Sequence, residues 1–290
     1  MQTVLLAGAS GHLGCALAQE LYQRNYRVRA LIRDATKAAR LNRTAHEVVI
    51  GDATRPETLR EVGRGVDIVV SALGKSLALD DDDPAGFMDV DLRGNLNLLD
   101  AVRDRPLQKF LYVSAYGTEY FPDVVYFRAH RAFAEALAAS GVPCVVVKPV
   151  VLYASFLELI ELGGRRPLRY LGDGAGRTNP IWEGDVARIC VDALNGTAKV
   201  IEAGGEEVYT HKDLIRKVSL AAGARPPRPM PFWLARATSV PLRFSNRNLY
   251  DKLARARAVA AHDLIAPRRG TFPLERYFVQ QVNRNRTVTG

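Results

Sequence analysis

The chain has 290 residues, 48% of them hydrophobic and 24% charged, with a formal net charge of +9. That length suffices for one large domain or two interlocked ones with a real core, and the ordinary composition excludes a fibrous or disordered chain. The longest apolar runs, such as 145–147 and 150–152, are strand-sized and exclude a helical membrane span.

In chain order, residues 3–7 read as a buried strand, so no signal or transit peptide is expected before the fold. Gly8-Ala9-Ser10-Gly11-His12-Leu13-Gly14 follows, then a helix to about Arg24. Strands are expected at 27–32 and 46–50, a helix at 56–62 and a fourth strand at 67–71. The run 80–84, four aspartates and a proline, is too charged and breaker-rich for a buried element. A helix over 89–103, a strand over 110–114, a helix over 123–140 and a strand over 144–151 complete the first half.

Strands alternating with helices through short connections predict an α/β fold. The expected architecture is a Rossmann-type, doubly wound parallel sheet, with residues 1–150 binding a cofactor and a smaller C-terminal portion, 151–290, closing a substrate cleft. That second part is less regular: a glycine-rich loop at 172–176, helices at 184–195 and 211–222, and a strand at 207–210. Prolines stiffen the connector 225–231 and forbid helix there. It leads into an Arg-dotted apolar stretch over 232–264, expected as two helices.

Gly8, Gly11 and Gly14 give G-x-x-G-x-x-G between a strand and a helix. Small residues let the backbone turn sharply, approach a pyrophosphate and pack the helix near the strand, while the helix N-terminus offers free N–H groups to phosphate. Gly8, Ser10, Gly11, His12, Leu13 and Gly14 are therefore expected to bind a dinucleotide. The end of the second strand selects it. Arg33 can grip a 2′-phosphate bidentately and Lys37 adds charge, which favours NADP(H) over NAD(H). Asp34 could instead hold a ribose hydroxyl, and Arg33 and Lys37 could be plain surface charges. Asp52 and Ala53 are expected near the adenine, although Asp52 also suits a turn. Ala72, Leu73 and Gly74 follow the fourth strand, where the cofactor must pass.

These stretches, with 91–101, 112–117, 139–143 and 172–186, resemble an atypical short-chain dehydrogenase/reductase of the NmrA-like kind. The resemblance implies a Rossmann domain and an NAD(P) cofactor, in a group holding both reductases and redox sensors. Reductases of the superfamily carry Tyr-x-x-x-Lys on the helix after the fifth strand. This chain has Tyr126 and, in the lysine's place, His130. A free histidine is mostly neutral at pH 7, a poorer cation than lysine but able to relay a proton. Tyr126 is the expected proton donor, with His130 assisting; the same spacing, continued by Phe133 and Leu137, also fits a plain core stripe. Ser114 and Tyr116 are alternative donors. Lys148 stands where the resembling proteins have Arg and is expected in a structural ion pair. Trp182 and Trp233 could line an apolar pocket or the core.

Three widely spaced cysteines (Cys15, Cys144, Cys190) lack metal-ligand spacing and fit buried thiols in a reducing cytoplasm. The positive charge carries no nucleic-acid-binding motif, so no nucleic-acid partner is expected. The sequence thus supports an NADPH-dependent reductase of a fairly apolar carbonyl or conjugated alkene. Its alternatives are a non-catalytic NADP(H)-binding sensor and, less favoured, a membrane-peripheral protein docking through 232–257.

Overall fold

The computed structural model describes residues 1–289, with side chains described to residue 281. The strands are β1 Thr3–Ala7, β2 Arg27–Ile32, β3 Glu47–Ile50, β4 Ile68–Ser71, β5 Lys109–Val113 and β6 Cys144–Pro149. The short β7 Arg169–Leu171 and β8 Arg177–Thr178 come next, then β9 Val200–Ala203, β10 Tyr209–Thr210 and β11 Arg228–Met230. Helices are α1 His12–Gln23, α2 Asn95–Asp100, α3 Val125–Ala139, α4 Leu157–Arg165 and α5 Glu183–Leu194. They continue with α6 His211–Ala221, α7 Phe232–Ser239, α8 Leu242–Ser245, α9 Arg247–Ala261 and α10 Leu274–Thr289.

One seven-stranded sheet has the order β3-β2-β1-β4-β5-β6-β9. Every pair from β3 to β6 is parallel. The chain winds outward from β1 in both directions, so the strand order reverses between β1 and β4. In such sheets the ligand crevice lies at the carboxyl ends of the strands at that reversal. The central strands earn their place by composition: Val4–Ala7 and Ile68–Ser71 are wholly buried, as a strand covered on both faces must be. α3 turns Phe127, Ala129, His130, Phe133 and Leu137 inward. Phe110, Tyr112 and Phe133 pack there with Leu5, Val69 and Leu98, each fully buried aromatic contributing roughly 2–3 kcal/mol.

The expected helix over 56–62 is only a 3-10 turn, Pro56–Leu59, and the backbone continues past it in the same tight pattern, Val62 N–H bonding the Leu59 carbonyl at 3.2 Å. The helix expected over 89–103 begins as a π-helical turn, Met88–Gly94, before α2. The proline-rich connector is extended, as its prolines require, and forms β11, which pairs in parallel with β7. Arg228 N–H and Gly172 N–H make its hydrogen bonds, so Pro229 needs no donor. The stretch 232–264 holds three helices instead of two. Pro241 cannot donate to the turn before it, and Asn246 restarts the chain by accepting the Leu249 N–H at 3.0 Å.

Two compact units emerge. The first comprises residues 1–76, 82–148 and 186–202; the second comprises 77–81, 149–185 and 203–290. The second has its own core, in which Tyr153, Phe156, Leu168, Leu214, Val218, Leu274 and Phe278 are buried. No helix among the described residues is long and apolar enough to cross a membrane.

Candidate cofactor and proton-transfer site

The glycine turn joins β1 to α1. Gly8 has φ +74°, and a Cβ there would stand 2.5 Å from the Ala72 carbonyl oxygen. A Cβ on Gly14 would stand 2.1 Å from the Gly8 oxygen, so the start of α1 rides directly on the turn. Gly11 is different. Its Cβ would meet only the Gly8 oxygen, at 3.4 Å, leaving its other side open. Gly11 is also the N-cap of α1, with no side chain capping the helix. The first N–H groups of α1 thus lack a side-chain acceptor, and a Cβ at Gly8 or Gly14 would strike backbone, a cradle that fits a pyrophosphate. Ser10 is half-buried, His12 exposed and Leu13 buried. Arg40, which sequence reasoning missed, donates to the Ser10 carbonyl at 3.3 Å and brings a cation to the turn.

At the end of β2, Asp34 caps a 3-10 turn, accepting the Thr36 N–H at 2.9 Å and the Thr36 hydroxyl at 2.6 Å. Those bonds, with Lys37 and Arg33 nearby, hold its carboxyl below the usual range. Lys37 lies 4.0 Å from it. The Arg33 guanidinium is more than half exposed and pairs with Asp83, whose side chain is largely buried. Lys75, almost fully buried, donates to the Asp83 carbonyl at 2.8 Å and stands 3.9 Å from its carboxylate. The aspartate-rich loop is therefore exposed in part only, because Asp83 turns inward to these two cations.

Asp52 takes the turn-forming role: its carboxylate accepts the Thr54 N–H at 2.9 Å and the Thr54 hydroxyl at 2.8 Å. Two asparagines unforeseen as site residues fix the neighbouring loops. Asn97 donates to the Ala53 carbonyl at 2.9 Å, and Asn95 donates to the Asp91 carbonyl at 2.9 Å while accepting from Ser71 at 2.6 Å. Leu73 touches the helix at Gly94, where a Cβ would lie 3.2 Å from its side chain. Gly74 lies beside Asp91, its own Cβ position 3.3 Å from the carboxylate.

Asp91, on the π-helical turn, anchors a buried polar chain. Its carboxylate accepts the Lys75 N–H at 3.0 Å and lies 3.2 Å from His130 Nε2. The other ring nitrogen, Nδ1, is 2.5 Å from the Tyr112 hydroxyl. A neutral imidazole protonated on Nε2 satisfies both contacts, donating to Asp91 and accepting from Tyr112. Burial, then the charge of Asp91 and the nearby Tyr126, push the Tyr112 phenol well above its ordinary pKa, so it keeps its proton. Tyr126 is half-buried and meets His130 edge to face, with ring centroids 4.6 Å apart. Phe87 packs on its other side at 5.3 Å.

Both nitrogens of His130 face Asp91 and Tyr112, and its ring contacts Tyr126. The missed partners come from elsewhere in the chain, Tyr112 from β5 and Asp91 from the helix before α2. Neither left a signal in the sequence, because Asp91 is one of several polar residues, with Asp89, Arg93, Asn95 and Asn97, along its helix.

Ser114, next to β5, is buried, and its hydroxyl has no hydrogen-bond partner among the described residues. Tyr116 is a poor donor, its pKa pushed up to about 12 by burial and by Tyr120, with Glu202 and Glu119 adding to the shift. Lys148 pairs with Glu119, the structural role expected of it. Trp182 packs against Phe272 with centroids 4.4 Å apart, whereas Trp233 is 71% exposed and belongs to no core. Cys190 is buried; Cys15 and Cys144 are only half-buried, and all three are free thiols.

A glycine turn under a helix at the strand-order reversal defines a nucleotide-binding α/β protein. Residues 8–197 match the family model described as NAD(P)H-binding, and the chain belongs to that family. The photosystem II assembly factor Ycf39 of Cyanophora paradoxa is 30% identical over 146 residues, 50% of this chain and 44% of that protein. The same factor from Trieres chinensis is 23% identical over 260 residues, 87% of this chain and 80% of its own. The chain thus spans less than half the length of the first relative and most of the second. The triphenylmethane reductase of Citrobacter sp. shares the fold, with a TM-score of 0.74 at 16% identity, covering 97% of this chain and 99% of that one.

Proposed function

We propose that the protein is an NADPH-dependent reductase acting on a fairly apolar carbonyl or conjugated alkene. The observation that carries this reading is the open, uncapped glycine turn at Gly11, with Arg40 bonded to it and Arg33 and Lys37 just past the end of the neighbouring strand β2. Gly8, Ser10, Gly11, His12, Leu13 and Gly14 would hold the pyrophosphate and Arg33 the 2′-phosphate, with Asp52, Ala53, Ala72, Leu73 and Gly74 lining the nucleotide's path. The bound dinucleotide supplies a hydride. Tyr126 supplies the proton, and His130, clamped by Asp91 and Tyr112, is the positioning residue that fixes the Tyr126 ring. Ser114 remains the second hydroxyl for a substrate oxygen. Three free thiols fit a reducing compartment such as the cytoplasm.

The test combines calorimetry with NADPH and NADH and the oxidation of NADPH in the presence of quinones, aryl ketones and enones. Tyr126→Phe is expected to lower kcat about a hundredfold or more while leaving the Kd for NADPH within about twofold. Unchanged turnover would remove Tyr126 from the chemistry.

A second reading has its own support: a non-catalytic NADP(H)-binding regulator. The superfamily's lysine is replaced by a histidine whose nitrogens are both engaged, and the relatives described above are named as assembly factors. It requires tight NADPH binding without substrate-dependent oxidation, and an oligomeric state that responds to the redox form of the dinucleotide.

A further inference from the structure

We infer that α7 and α8 form a docking surface for an anionic lipid bilayer. The backbone stays helical from α7 into α8, through Val240 (φ −57°, ψ −44°) and Pro241 (φ −59°, ψ −30°). Trp233, Ala237, Val240 and Phe244 recur at intervals of four, three and four residues, one stripe of a helix. Helical stripes of this composition normally face a core. This one faces water: Ala237 is exposed, as are Trp233 (71%), Val240 (45%) and Phe244 (87%). The opposite face is the packed one. Ala235 and Ser239 are buried there, and the Ser239 hydroxyl accepts from Arg257 of α9 at 2.7 Å.

Charge selects the occupant. Between Asp213 and Asp251 the chain carries seven Lys or Arg residues and no acidic one. Arg236 and Arg243 flank the stripe, exposed and without an ion pair among the described residues. A second copy docking by twofold symmetry would bring the same arginines against themselves. Headgroups of an anionic bilayer would meet them with opposite charge while Trp and Phe enter the interfacial layer, the residue pairing of a surface-lying helix.

The full chain is floated with vesicles of phosphatidylcholine alone and with about 30% phosphatidylserine, where the acidic leaflet should attract each arginine about fivefold. Binding is expected only to the acidic vesicles, weakening as salt is raised, with a blue shift in Trp233 fluorescence. Trp233→Ala with Phe244→Ala, and separately Arg236→Gln with Arg243→Gln, are each expected to lower partitioning at least tenfold. All four sites are solvent-exposed, so an unchanged far-UV spectrum and thermal midpoint certify folding. The inference is overturned if the acidic vesicles leave the chain behind, or if both variants float like the parent. It is equally overturned if Trp233→Ala with Phe244→Ala only dissolves a dimer seen by sedimentation velocity.

Discussion

Asp83 sets how much positive charge the end of β2 can offer a ligand. It pairs with Arg33 and lies near Lys75, so the 2′-phosphate proposed to bind at Arg33 would meet a carboxylate already there. Asp83→Asn is expected to raise affinity for NADPH about tenfold, the worth of one charge-assisted hydrogen bond, with NADH changed less than about twofold. Arg33→Ser should do the reverse, weakening NADPH about tenfold. Calorimetry with both dinucleotides checks the pair, and equal responses would make Arg33 a mere surface charge. Arg33 stands out in the sequence as a candidate because residue type and position at the end of a strand coincide. Its partner does not, since Asp83 lies fifty positions on in a run of four aspartates with nothing to single out one. The same holds for His130: its spacing from Tyr126 could be read, but the direction of its nitrogens depends on Tyr112 and Asp91, brought together only by the fold.

At the scale of elements, legibility followed burial. β1, β4, β5 and β6 are continuous apolar runs that announce themselves, and the glycine turn is fixed by its place between β1 and α1. Strands of two or three residues such as β7 and β8 carry too few side chains for a period to show, whereas β10 lies within the strand expected over 207–210. They form because neighbouring backbone groups need partners. α5 brings an element-level consequence. Its first residue, Glu183, is 4% exposed and accepts the Ala154 N–H; burial outweighs that bond and its own amide, pushing the carboxyl up to about 7. Because the folded pKa lies above the ordinary value of 4.5, the folded state holds this proton more tightly than the unfolded chain does. Its stabilisation is full below that ordinary value and is lost as pH rises through about 7, up to about 3 kcal/mol. Urea denaturation across that window should show the decline, and Glu183→Gln should flatten it and leave the variant the more stable one in alkali. Parallel pH profiles for the two proteins would contradict this.

The whole molecule couples two cores through one chain. Both tryptophans, Trp182 and Trp233, belong to the second unit, whereas the glycine turn belongs to the first. NADPH at about a hundred times its Kd should stabilise the folded state by about 2.7 kcal/mol and raise the calorimetric midpoint by about 5 °C or more. We expect tryptophan fluorescence to move with it, since the chain crosses between the units five times. A fluorescence midpoint that stays fixed while the far-UV signal shifts would show two independent folding units. The crossings also impose an order on synthesis. β9 pairs beside β6, and Val146 N–H bonds the Lys199 carbonyl at 2.9 Å, yet more than fifty residues separate them. On the ribosome, β6 emerges first and must wait as an open sheet edge while much of the other core is made. The nascent nucleotide-binding half therefore stays unfinished, and exposed to wrong pairing, until residue 202 has left the exit tunnel.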